Sequence, residues 1–168
     1  MKHLSDTIKE LIPPNDYEHR NGFSNEHLID QLSKADKTAV ETELLKMLES
    51  ADDLLIGQTL AYLHSSKAIP LMESKLKKAD DAVSRIHWAG WVDNLKEGEQ
   101  DMKDVAFEEF KKLSDIYQLI SAFPILVTFK DPRINERIKS YLDDPAYLVA
   151  YNARTALGEP VDQLIKKG

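Results

Sequence analysis

Cysteine is absent from this 168-residue chain, so no disulfide frame, thiol nucleophile or thiolate zinc site is available to it. Glycine is scarce, at six residues, and neither GxxxxGK nor GxGxxG occurs, which leaves no loop of the kind that cradles phosphates. No apolar run is long enough to cross a bilayer. The opening residues, MKHLSDTIKELIPP, mix two acids with two Lys and do not resemble a secretory signal. Basic residues are outnumbered, 22 Lys and Arg against 29 Asp and Glu, for a net charge of −7. Phosphate binding draws its affinity from clustered Lys and Arg, so this balance weighs against a nucleic-acid partner. The expectation is a cytoplasmic protein with no membrane insertion, no metal and no cofactor.

What is present is a globular composition, 42% hydrophobic and 30% charged, of a length that suits one domain over residues 1–168. Leu4, Ile8, Leu11 and Ile12 share one face of a short helix that Pro13 and Pro14 end, giving an N-terminal element over 1–14. Asn15 to Gly22 reads as a loop. Ser24 or Asn25 then caps a helix through Leu32, and Asp36 caps another through Leu48 with Val40, Leu44, Leu45 and Leu48 as its apolar stripe. The next starts repeat. Asp52-Asp53, Asp80-Asp81, Asp115 and Asp143-Asp144 each precede an apolar helix, at steps of 28, 35 and 29 residues, a period suited to two short helices and their turns.

Second helices are expected over about 67–78, 101–113 and 132–142, with a last short one after Pro160. The units are thus 24–49, 52–79, 80–113, 115–143 and 144–167. Bases gather near the ends of second helices, as Lys75, Lys77 and Lys78, then Lys111 and Lys112, then Lys139, then Lys166 and Lys167. Acids at starts and bases at ends are what the helix dipole favours.

The last first-helix carries its punctuation intact: Asp143-Asp144-Pro145 opens it, Gly158 and Pro160 close it, and Leu148, Val149, Asn152, Ala153, Ala156 and Leu157 form a small-sided stripe. That pattern resembles the first helix of a HEAT repeat, and more narrowly the short HEAT-like repeats of phycobilisome-lyase-type proteins. The stretch from Thr59, TLAYLHSSKAIPLM, is similar to another part of the same unit, with Ile69-Pro70-Leu71 opening a second helix. The resemblance implies an all-α, right-handed α-α superhelix of about five helical hairpins. It also implies a scaffold or adaptor that binds another protein, of an immunity type or chaperone-like for example. The competing implication is enzymatic, a bilin-lyase-like or DNA-glycosylase-like protein with an aromatic cleft near Trp88 and Trp91.

The middle of the chain is its most apolar part. Residues 81–95 and 116–129 are apolar all round, which predicts burial on more than one side; Gly90 offers a close-approach point and Pro124 a kink. His87 shares a helix face with Trp91, and Asp93 follows, but no second His stands within ligand spacing and no nucleophile stands at a sharp turn. No catalytic residue is assigned. For partner binding, Lys103, Phe107 and Lys111 lie at four-residue spacing on the polar side of their helix, so an aromatic is flanked by cations. His87 and Trp91 are the competing surface.

Overall fold

Side chains ending in oxygen set most of the helix starts. The computed structural model describes residues 3–165, and among these every regular element is helical. Lys166 and Lys167, expected to finish the last helix, lie outside the described residues, as do Met1 and Lys2. No helix of the described residues is long and apolar enough to cross a membrane. Contacts gather the chain into two compact units, residues 1–75 and 76–168.

In the first unit α1 (Leu4–Leu11) ends before Ile12-Pro13-Pro14, and of its apolar stripe only Leu11 is buried. The expected loop after it contains a helical turn, α2 (Tyr17–Arg20), because the Asp16 side chain accepts the His19 N–H. Arg20 explains why that turn is kept. Its guanidinium donates to both oxygens of Asp53, at 2.6 and 2.7 Å, and to the Pro13 carbonyl.

α3 (Glu26–Asp30) follows Asn25, but the Asn25 amide does not cap it. It is buried instead and donates to the Leu11 carbonyl and Thr59 Oγ1, at 2.9 and 2.8 Å. α4 (Lys34–Ser50) starts three residues earlier than an Asp36 cap implies. Ser33 is the cap, accepting the Asp36 N–H and donating to the Asp36 carboxylate. Its stripe of Val40, Leu44 and Leu48 is fully buried, while Leu45 lies at the margin. α5 (Leu54–Tyr62), capped by Asp53, packs on α4, and a 3-10 turn leads into α6 (Ile69–Lys78), which contains the boundary between the units.

The second unit opens with α7 (Ala82–Leu95), capped by Asp81, and α8 (Gln100–Phe110) packs back on it. Asp93 sits at the joint, 5% exposed, where its carboxylate accepts the Glu99 N–H at 2.7 Å. α9 (Ile116–Leu126), capped by Asp115, contains Pro124 and runs into a 3-10 turn that ends at Lys130, φ +51°. α10 (Pro132–Lys139) has Asp131 at its cap and proline in its first turn. α11 (Tyr147–Leu157) follows, and α12 (Asp162–Ile165) lies after Pro160.

α9 packs on α7 and on α11, and α10 packs on α8, α9 and α11. Between them lie Trp88, Phe110, Phe123, Phe129, Ile134 and Ile138, all at most 2% exposed. A Cβ built on Gly90 would stand 2.5 Å from Ile125 Cγ1, so the close approach expected at this glycine is where α7 meets α9. The uniformly apolar α9 is not covered on every side, since Ile116, Tyr117, Gln118, Ser121 and Pro124 are exposed.

α11 departs from its expected stripe. Asp144 accepts the Ala146 N–H, so the helix begins past Pro145, and its buried face is Val149, Ala150, Ala153 and Arg154, with Leu148 exposed. Arg154 is what turns the helix. It donates to the carbonyls of Leu142 and Pro160 and to Asp143, tying down both flanking loops while its stem lies inward.

Candidate functional site

The aromatic cluster on α7 is built into the core. Trp88 and Trp91 are 2% and 6% exposed and meet edge to face, with ring centroids 5.1 Å apart. The His87 ring lies 5.6 Å from that of Trp91. Its Nδ1 is 2.8 Å from the Val83 carbonyl one turn back, a geometry in which the ring nitrogen donates. Burial pushes the His87 imidazole below its ordinary pKa, against the Val83 carbonyl and the charge of Asp81, so it stays neutral near pH 7. Asp93, the acid that follows it, is held by the Glu99 N–H. The indoles therefore pack; they do not line a cleft. Among the described residues no group of three or more His, Cys, Asp or Glu is placed to hold a metal ion.

The strip on α8 is more open. Phe107 is half-buried, Lys103 is half-buried and Lys111 is exposed. The Lys111 ammonium lies over the Phe107 ring at 5.1 Å from its centroid. A second cation lies at the same distance, the guanidinium of Arg133 from α10. Two charges on one ring make a cation–π box, with each such contact contributing ~0.5–1 kcal/mol where it is solvated.

Arg133 is itself held by two carboxylates, donating to Asp104 of α8 and to Asp131, each at 2.7 Å. The guanidinium holds both carboxyls below the usual range, and the two acids raise the guanidinium in turn. Lys111 also pairs with Glu108 at 2.7 Å. The next residue of α8, Glu109, is 6% exposed and accepts from Arg85 and Lys112 at 2.8 and 2.9 Å. Burial raises its pKa, but the two cations outweigh that and hold it low.

Of the five residues singled out in the sequence, the structure brings Phe107 and Lys111 together, sets Lys103 beside them on the same helix, and places His87 and Trp91 in a separate packed cluster. Sequence reasoning missed Arg133, Asp104 and Asp131. The one available signal was Asp131-Pro132-Arg133, a helix start with a cation in its first turn.

In the first unit an open cleft of about 250 Å³ is lined by Thr7, Glu10, Leu11, Leu28, Gln31, Leu32 and Asp36. Its two carboxylates sit with three leucines, and Asp36 is already engaged by Ser33.

Searches of family models, curated proteins and solved structures found no match to this chain.

Proposed function

We propose that the chain is a non-catalytic protein-binding scaffold or adaptor, of an immunity type or chaperone-like, working in the cytoplasm. Its hairpins stack as a right-handed HEAT-like superhelix, and a folded protein docks on the second-helix surface centred on Phe107. Support for the stack comes from the second unit. There the first helices α7, α9 and α11, the first two capped by Asp81 and Asp115, pack in sequence, and the second helices α8 and α10 pack on each other.

Support for the docking surface is the Phe107 ring itself, an aromatic flanked by Lys111 and Arg133 and rimmed by Asp104. An anchor with a charged rim is the arrangement in which interfaces concentrate their energy. The rim sets approach. Lys111 and Arg133 attract acidic groups, and Asp104 and Glu108 fix the register of any cation brought near. The buried tryptophans offer no comparable surface, which disfavours the bilin- or base-binding reading.

Affinity capture from a native lysate with the full chain as bait is the test. A captured partner should bind the Phe107→Ala chain at least ~1 kcal/mol more weakly with helix content unchanged, and Lys111→Glu should slow its association at low salt. Partner binding that survives both changes, or that is lost only on altering His87 or Trp91, refutes the assignment.

A further inference from the structure

In a chain where 30% of residues are charged, the stretch from Ile116 to Phe129, which is α9 and its 3-10 turn, holds no Asp, Glu, Lys or Arg. The single charged residue of α11 is Arg154, and it is turned inward. The outward faces of these two packed helices carry Tyr117, 72% exposed, with Ile116, Tyr147, Leu148 and Tyr151 also exposed. Exposed helix faces ordinarily carry the charges that solvate them. Loss of charge together with enrichment in tyrosine is instead the mark of an interface core.

The ends of α9 specify what covers it. Asp115 stands at its start and the exposed Lys130 just past its 3-10 turn, about 22 Å apart along the axis. A surface with acid at one end, base at the other and nothing charged between is self-complementary: turned through a two-fold axis, it meets its own copy with Asp115 against Lys130 twice over. The rest of a chain carrying −7 repels its copies, which leaves this face as the neutral way in.

We propose that a second copy of this chain docks here, α9 against α9 antiparallel, with the exposed tyrosines of α9 and α11 lining the buried contact. Two short helices present less than the ~800 Å² per partner of a stable complex, so the dimer is weak and reversible. This inference does not depend on the Phe107 surface, which lies on other helices.

Sedimentation equilibrium of the 168-residue chain between about 1 µM and about 500 µM tests it. The weight-average mass should climb toward twice the monomer. Tyr117→Ser and Tyr151→Glu should each raise the dissociation constant at least about tenfold, because each strips a ring from the contact and the second also puts a carboxylate into it. Lys130→Glu should weaken the dimer, and so should Asp115→Asn, which keeps an oxygen for the cap. Phe107→Ala should leave it unchanged.

A monomer throughout the range overturns the proposal. So does a dimer indifferent to the tyrosine changes or to Lys130→Glu, or one abolished by Phe107→Ala. Circular dichroism matching the parent chain qualifies each variant, and Tyr147→Ser replaces any tyrosine variant that fails it.

Discussion

α9 and α11 turn tyrosine, serine, proline and threonine to solvent without a single exposed charge, whereas α8 and α10 turn out Asp101, Asp104, Glu108, Arg133, Glu136 and Lys139. The same backbone elements, packed around one core, thus carry two surfaces with different means of support. On the charged side, side chains hold one another: Arg133 links α10 to Asp104 on α8, and Lys139 pairs with Glu136. On the uncharged side, Thr128, Asn152 and Thr155 hydrogen-bond only to carbonyls of their own helix, so the helices are held by what lies beneath. Surface pairs contribute little each, while core packing contributes kilocalories, so the uncharged side should be more sensitive to the core and less sensitive to solvent conditions.

The largest effect is expected at the ring that both sides share. Phe123 is fully buried, with its centroid 6.2 Å from Phe110 on α8 and 5.6 Å from Tyr141 beyond α10. Phe123→Ala should cost about 3–5 kcal/mol. Both tryptophans of the chain lie in α7, so the urea transition followed by tryptophan fluorescence reports on the second unit. A loss under ~1 kcal/mol would mean that the core does not join the two surfaces.

A smaller effect, confined to the uncharged side, is expected at Gly90. A side chain there drives into Ile125 of α9, and its Cβ also comes to 3.4 Å from Phe129. Gly90→Val should therefore cost about 1–3 kcal/mol by the same fluorescence measurement. Hydrogen exchange should quicken in α9 before α10, and equal quickening in both would refute the separation.

Three of the acid-marked helix starts and the close approach at Gly90 were legible in the sequence because each is a local choice with a local cost. Asp53, Asp81 and Asp115 do cap the helices they precede. The start of α4 was misplaced because Ser33 and Asp36 form a reciprocal pair, in which the first residue is the cap and the acid its return partner. Long-range choices were not legible. Arg20 with Asp53, Asn25 with Thr59 and Arg133 with Asp104 join residues that no helical period relates. The face of α11 was misjudged for the same reason, since the Arg154 partners Leu142 and Pro160 lie outside the helix. Nor did hydropathy reveal the open side of α9, because tyrosine and proline read as apolar wherever they point.

The smallest effect is one of pH, and it should act on the charged side alone. Arg133 holds Asp104 and Asp131 below their ordinary pKa, and Lys112 and Arg85 do so for Glu109 against the opposing effect of burial. A carboxyl whose folded pKa is depressed contributes stability that is fully present above its unfolded value, about 4, and is lost as pH falls through the folded one. The second unit should thus be steady from neutral pH to about 4 and weaken below it.

Arg133→Ala removes the main cause of two of these shifts. It should lower the fluorescence melting temperature by a few degrees at neutral pH, and the gap to the parent chain should close in acid, where the parent has lost the same interactions. Salt should shrink the neutral-pH gap, because Asp104 and Arg133 are solvated. α9 and α11 contain no carboxylate, so the exchange of their amides relative to the unit as a whole should not follow this titration. A gap that widens in acid, or that persists unchanged at low pH, would show that Arg133 stabilises α10 through its packing on Phe107 and not through its carboxylates.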